Sequence, residues 1–488
     1  MVLQQLKDKE HLLMTVRFYL ALWTGKIVSI LMRLLGKKGT TFPGFIALKI
    51  CPNMIGFLAS RFPEGAVIIT GTNGKTTTNN LLASILKTAE KKIAFNREGA
   101  NMLTGIAGAL LQNTTFAGMP QASVLLLEVD EATLPGLCRQ LTPRLAVITN
   151  FFRDQLDRYG ELDTTIKLVK ESLPAATELV LNADDPLVAQ IGTGRKGVFY
   201  FGVSTLPTSS ADSTETREGR YCSHCGQELS YTLFHYGQLG NYRCPSCGFS
   251  RPNPYIEAKE VKMESREISF RIDDDHDNHV YQVPLQGYYN LYNVLAAFCA
   301  ADRLQISRED IGTGLNRYVS DAGRMEQFSL LGCEATLTLV KNPTGFNQVI
   351  HTIAELPQSV RLLIAINDLA ADGRDISWLW DVDFEILALR QDDVPQIICS
   401  GLRAEDMALR LKYAGIKEDR ITMEHSLEKA VEMLEQPSIS AASALKAAAS
   451  IAEGGAVFIL PTYTALFPIR DILVRRKTGE KQRKAVNV

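Results

Sequence analysis

The stretch VIITGTNGKTTTNNLLASIL, Val67 to Leu86, decides the fold. An apolar run leads into Gly71-Thr72-Asn73-Gly74-Lys75-Thr76-Thr77, and Leu81, Leu82, Ile85 and Leu86 then recur on one face of a helical period. The order is strand, phosphate loop, helix. Gly71 and Gly74 let backbone N–H groups approach an anion, and Lys75 brings a point charge to the outer phosphates. Thr76 offers a hydroxyl to Mg²⁺, and the helix N-terminus adds its dipole. The spacing departs from the GxxxxGK[ST] pattern because Ile69 stands where that pattern has its first glycine.

Working outward, apolar strand-like runs alternate with helical patterns through KIAFN, ASVLLLEVD, RLAVITNFF, ELVLNADDP and GVFYFGV. Such alternation predicts an α/β fold with a parallel sheet covered by helices, whose ligands collect at the carboxyl ends of the strands. A Ser, Thr, Asp and Glu-rich stretch, 205–220, reads as a loop. A β-like segment follows from Tyr255, and then a helix at GYYNLYNVLAAFCAADRLQI. RLLIAIND, QIICSG, DRITMEH and AVFILPTYT repeat the rhythm, which predicts a second, Rossmann-like α/β domain. The boundary is expected near Glu326 to Thr336, and SISAASALKAAAS reads as a good helix. The expected divisions are a helical segment over 1–60, a central ATP-binding domain over 61–330 and a C-terminal domain over 331–488.

The chain has 488 residues, enough for two or three domains, and 52 basic residues balance 54 acidic ones. No surface built for a polyanion is expected, and the charge balance disfavours nucleic acid as a partner. Four of the nine cysteines form Cys222-x-x-Cys225 and Cys244-x-x-Cys247, with 18 residues between the pairs. That is the spacing of a zinc ribbon inserted at about 220–252. Four thiolates fill a tetrahedral shell, so the expected Zn²⁺ is structural. His224 and His235 are read as solvent-exposed rather than as ligands. The unpaired cysteines and the absence of a secretory signal pattern point to the cytoplasm. From Leu12 to Lys38 apolar residues dominate, but Arg17, Lys26 and Arg33 interrupt them. An amphipathic helix packed on the protein is expected, with a membrane-touching helix, basic residues lying beside Trp23 and Phe18, as the lesser alternative.

Glu128 closes the run SVLLLEVDE, where a strand tip would hold its carboxylate against the Mg²⁺ of Thr76. A buried strand-end glutamate without a cation would be costly. TNFFRDQLDRYG sets Asn150, Arg153, Asp154, Asp157 and Arg158 after another strand, either at the site or as a solvated ion-paired turn.

The series GTNGKTTT, EVDE, TNFFRDQLDRYG, LNADDP, GYYNLYNVLAA, GRMEQF and KNPTGFN, in that order, resembles the central and C-terminal domains of the Mur ligase family across most of residues 40–488. The resemblance implies phosphorylation of a carboxylate by ATP and attack of an amine on the acyl phosphate. The usual sugar-nucleotide-binding domain is missing, and the inserted ribbon with NDLAADGRDISWLWDVDFE resembles the ligase subunit of lipid II isoglutaminyl synthases. That likeness implies amidation of D-glutamate in the lipid II stem peptide at the inner face of the membrane. Ammonia would come from a GatD-like glutaminase bound as a heterodimer. It also implies that Asp375 completes the partner's Cys-His pair, although by position alone Asp375 reads as a helix cap. Lys75, Thr76 and Glu128 would hold phosphates and Mg²⁺. Asn290 and Asn293 resemble adenine-contacting amides, and Arg324 resembles a nucleotide-contacting arginine, against the plainer readings of a helix cap and an ion pair.

Some positions depart from the family. Asp154-Gln155-Leu156-Asp157 replaces DHLD, and Val169 stands where several members carry a carbamylated lysine, with Lys167 and Lys170 out of register, so no carbamate is expected. Val340-Lys341-Asn342-Pro343 replaces an acidic and histidine-bearing motif. The open alternatives are a stand-alone amino-acid ligase and a zinc-ribbon nucleic-acid module.

Overall fold

The first strand, β1 (Ala66–Thr70), is buried throughout and runs straight into the glycine loop. Its neighbours explain why that loop matters. In a computed structural model describing residues 2–36, 39–96, 100–154, 161–212, 217–264, 267–274, 277–320, 322–330, 333–435 and 455–486, contacts divide the chain into two units. The first comprises residues 1–152, 161–284 and 288–318, and the second 153–160, 285–287 and 319–488.

The first unit is built on a nine-stranded sheet. Its strands are β1, β2 (Ile93–Phe95), β3 (Val124–Glu128), β4 (Leu145–Ile148), β5 (Glu178–Asn182), β6 (Val198–Val203), β9 (Ile256–Met263), β10 (Ile268–Asp274) and β11 (Asp277–Val283), in spatial order β11-β10-β9-β6-β5-β4-β1-β3-β2. All neighbours from β9 to β2 are parallel, and β9, β10 and β11 form an antiparallel margin. The chain leaves β1 toward β2 and β3 on one side and returns to β4 on the other. That reversal opens a crevice beyond the carboxyl ends of β1 and β4, where the glycine loop lies.

Burial explains the composition of these strands. β1, β3 and β4 carry no exposed residue, and their aliphatic runs fill the layers between sheet and helices. The connection from β6 to β9 contains a separate hairpin, β7 (Ser230–Tyr236) and β8 (Leu239–Arg243), that carries the cysteine pairs. The amino-terminal helix Val2–Leu34 buries Phe18, Ala21 and Leu22 in this unit.

The second unit has a six-stranded sheet in the order β12-β13-β17-β14-β15-β16. These strands are Glu326–Leu330, Cys333–Leu337, Ala456–Pro461, Val360–Ala365, Gln396–Ser400 and Ile421–Met423. Only β12 is antiparallel to its neighbour. The stretch 326–336 lies in the β12–β13 hairpin of this sheet, and the second unit's main segment begins at Val319. SISAASALKAAAS lies outside the described residues, as do Asp157 and Arg158.

Candidate active site and metal centre

Gly71 and Gly74 adopt φ of +118° and +83°, in the region that side chains avoid. At Gly74 a second constraint applies, because an added Cβ would sit 1.9 Å from Asn293 Oδ1. Helix Lys75–Thr88 starts immediately after, so its first N–H groups face the crevice. Lys75 Nζ folds back onto the loop, donating to Gly71 O at 2.5 Å and pairing with the Glu131 carboxylate at 3.1 Å.

The loop is clamped from below. Asn73 N–H donates to Asn150 Oδ1 at 2.9 Å, while Asn150 Nδ2 and Thr149 Oγ1 donate to Asn73 O at 3.1 and 2.7 Å. Thr72 Oγ1 accepts from Phe152 N–H at 3.1 Å and donates to Phe152 O at 3.2 Å. Asn150 is therefore buried and structural to the loop rather than part of a solvated turn. Asp154 clusters with the second unit, where its carboxylate receives Lys341 Nζ at 2.5 Å.

Glu128 lies beside Ile69 in the β1–β3 register, so the strand pairing sets its side chain next to the loop. It is 4% exposed. Asn96 holds its main chain by accepting Glu128 N–H at 2.9 Å and donating to Glu128 O at 2.8 Å, and Asn101 Nδ2 donates to Oε1 at 3.3 Å. Among the described residues the partner of its carboxylate is this neutral amide, and an anionic oxygen of that kind is the donor a hard cation takes.

Asn290 and Asn293 are buried on helix Tyr288–Arg303, and Asn293 Nδ2 donates to Asn290 Oδ1 at 3.1 Å. Asn290 lies within the helix, and Asn293 packs on Gly74 and accepts from Thr78 Oγ1 at 3.4 Å. Arg324 occupies a turn between Gly323 (φ +69°) and Met325 (φ +56°), a strained backbone for methionine. Its guanidinium makes no ion pair among the described residues. Next to it, Glu326 pairs instead with Arg470 at 2.9 Å.

The four cysteine sulfurs lie within 4.8 Å of one another, with Cys222–Cys247 at 3.5 Å and Cys225–Cys244 at 3.4 Å. The N–H of Cys247 donates to Cys244 Sγ and holds that thiol down to about 6. Four converging sulfurs of this kind fit a tetrahedral metal shell. His224 is exposed beside the cluster, its ring 4.5 Å from Phe249. His235 corrects the expectation of solvent exposure: it is buried, with Nδ1 2.7 Å from Ser209 Oγ, and burial pushes its pKa down.

Sequence reasoning passed over what joins the ribbon to the loop. Asp184, fully buried, accepts from Arg251 Nε at 2.6 Å, Tyr292 OH at 2.8 Å and Val203 N–H at 2.8 Å. Asp185 accepts from Phe151 N–H and Leu187 N–H, both at 3.0 Å, and burial raises its carboxyl to about 7. Gln238 of the hairpin donates to Phe151 O at 2.6 Å, and Tyr242 OH to Ala183 O at 3.2 Å. The ribbon thus supports Phe151-Phe152, which in turn holds Thr72. The acidic pair of LNADDP was the only sequence signal.

In the second unit, Asp372 accepts from Thr464 N–H and Oγ1 at 2.8 and 2.6 Å and from Leu369 N–H at 3.2 Å. This pins the base of the loop that carries Asp375. Asp375 is exposed; Oδ1 accepts Ser377 N–H at 2.8 Å, and Oδ2 takes no hydrogen bond from a described residue. The cap-like contact therefore leaves one oxygen open.

A phosphate loop at the switch point of a mostly parallel sheet, followed by a second Rossmann-like unit, defines the Mur ligase architecture. The Mur ligase middle domain model matches residues 69–244, and the MurT ligase C-terminal model matches residues 339–466. A lipid II isoglutaminyl synthase (glutamine-hydrolyzing) subunit MurT of Staphylococcus aureus (strain COL) is 35% identical over 95% of this chain and 99% of its own. Its Streptococcus pneumoniae (strain ATCC BAA-255 / R6) namesake is 34% identical over 96% and 100%. Among solved structures, a pseudomurein peptide ligase type C from Methanothermus fervidus superimposes with a TM-score of 0.62 at 25% identity, over 86% of this chain and 80% of that one. A MurF ligase from Thermotoga maritima in complex with ADP gives 0.61 at 14% identity, over 89% and 85%, a likeness of fold alone. This chain belongs to the MurT family of Mur ligases.

Proposed function

We propose that this chain is the ligase subunit of a lipid II isoglutaminyl synthase in peptidoglycan synthesis. It transfers the γ-phosphoryl group of ATP to the α-carboxylate of D-glutamate in the lipid II stem peptide. Ammonia then attacks the acyl carbon, phosphate leaves, and D-isoglutamine results. The observation that carries this is the end-to-end match to MurT subunits, with the phosphate loop, cysteine cluster and DGRD loop all inside the matched length.

The residues fit their ligands. The N–H groups from Gly71 to Thr77 would cradle the phosphates, and Lys75 would exchange Gly71 O and Glu131 for phosphate oxygens. Thr76 and Glu128 would hold Mg²⁺, whose charge offsets that of the transferring group. Asn290, Asn293 and Arg324 are assigned to the nucleotide. Asn293 would act by bracing Gly74 as well as by contact. The four cysteines would bind Zn²⁺ structurally, since no ligand position stays open.

Ammonia is assigned to a GatD-like glutaminase in a heterodimer. The open Oδ2 of Asp375 supports its role there, because an acceptor at a partner's histidine must not be consumed within its own loop. The reaction is placed at the cytoplasmic face of the membrane, where a lipid-linked substrate is held.

Mass spectrometry of lipid II incubated with ATP and either ammonia or glutamine, with and without co-expressed glutaminase, tests this assignment. Wild type should amidate with ammonia alone and with glutamine only beside the partner. Asp375→Asn should keep the first activity and lose at least about a hundredfold of the second. Amino-acid addition without a partner would indicate a stand-alone ligase, and no amidation in any condition would overturn the proposal.

A further inference from the structure

Helix Val2–Leu34 has two apolar faces, not one. Phe18, Ala21 and Leu22 point inward at 4% exposure or less. On the opposite side of the 3.6-residue period lie Leu20, Trp23, Ile27, Ile30, Leu31 and Leu34, each between 48% and 78% exposed. A helix seated on a protein and facing water carries polar side chains there. Phe18, which the membrane-touching alternative set beside the basic residues, belongs to the core, whereas Trp23 lies on the outer face with its indole N–H bonded to Phe116 O.

By length and composition, Met14–Leu34 could cross a bilayer. Its inner face argues against crossing. Lys26, buried, donates to Leu111 O at 2.7 Å and Thr114 O at 2.5 Å, and a Cβ on Gly25 would meet Leu111 at 2.6 Å. Spanning would strip this packing and carry a lysine into hydrocarbon.

Charge indicates the occupant. From His11 to Pro63 the chain has seven lysines and arginines and no acidic residue, in a protein of net charge −2. Arg17, Arg33 and Lys49 are exposed, as are Phe42 and Phe45 on the following helix, and Lys49 Nζ lies 4.8 Å from the Phe45 ring centre. An apolar face with an aromatic residue and a purely cationic border is the composition that lies in the interface of an anionic bilayer. The helix ends near the chemistry: Arg33 lines a cavity of about 440 Å³ whose wall includes Asn96, the residue that holds the Glu128 main chain.

We infer that the outer face of the amino-terminal helix is a membrane-docking surface, lying in the plane of an anionic bilayer and presenting the Arg33 cavity to a lipid-anchored substrate. The identity of that substrate rests on the function proposed above; the docking itself does not.

The full-length protein is sedimented with phosphatidylglycerol-containing vesicles and with phosphatidylcholine vesicles, without substrate, at low and high salt. Wild type should bind the anionic vesicles and weaken with salt. Ile27→Glu/Leu31→Glu should lose at least tenfold in partitioning while keeping its thermal midpoint, because both positions face outward. Ammonia-supported amidation of detergent-solubilised lipid II should be unchanged in the variant, and its absence in wild type would count against the proposed function and not against docking. The inference is overturned if wild type ignores anionic vesicles, or if the double variant binds them as well as wild type. It is equally overturned if the variant instead dissolves a wild-type homodimer or releases the glutaminase.

Discussion

Two loops, each following a central parallel strand, are built in opposite senses. The loop after β1 is held by Thr149, Asn150, Phe152 and Asn293, so its glycines and N–H groups are fixed in place. The loop after β14 is tied at its base, where Asp372 grips Thr464, Asn367 Nδ2 bonds Thr464 Oγ1 at 2.9 Å and Asp368 pairs with Arg403 at 2.5 Å. Beyond that tie Arg374 and Asp375 stand exposed. A site that must hold its own ligand is preorganised inward, and one that lends a side chain needs a rigid stem and an open tip.

The largest effect expected from this contrast is at Lys75. Lys75→Ala should lower ATP turnover by about 10² to 10³ with both nitrogen donors, read as ADP release, because the charge proposed to meet the phosphates is removed. Asp372→Ala should act on one donor only. Glutamine-supported amidation should drop at least about tenfold while ammonia-supported amidation persists, with a stability loss of about 1–3 kcal/mol from orphaned buried donors. Equal loss with both donors would break the comparison.

Gln238→Ala should sharpen it from the inward side. Removing the bond to Phe151 O loosens the support of Thr72, so KM for ATP should rise several-fold while the sequence of the loop is untouched. The smallest effect is in pH. Burial raises Asp185 to about 7 from its ordinary 3.8, so the folded state holds this proton more tightly than the unfolded chain. The stability this contributes is complete below about pH 3.8 and is lost as pH rises through about 7. Thermal unfolding of wild type against Asp185→Asn across that window checks it, and the variant should lack that component.

Much of this was legible from short-range pattern. The strand-loop-helix at Val67–Leu86, the cysteine pairs and most strands rest on local spacing, which the fold respects. What stayed hidden depends on distance along the chain. Arg251 and Tyr292 reach Asp184 from 67 and 108 residues away, and no periodicity links them. Glu131 stood inside a quoted motif, but its pairing with Lys75 needs the β1–β3 register. His235 read as exposed because polarity beside a metal cluster suggests surface, whereas Ser209 and Asp184 bury it. The double-faced amino-terminal helix looked simply amphipathic, since apolar residues alone do not say which side meets protein.

The hairpin that carries the cysteines sits in the connection between β6 and β9, two strands that pair in parallel as Phe201↔Ile256. That pairing must close a long loop, whose entropic cost grows with the length of free chain. Zinc, if held by the four thiolates as proposed, would knot residues 222–247 into one small folded body and shorten the effective loop before the strands meet. The ion would then act on folding order as well as on final stability. Chains made without it should stall with β1 to β6 assembled and β9 to β11 unpaired, leaving an open sheet edge at β6 for neighbouring chains to add to.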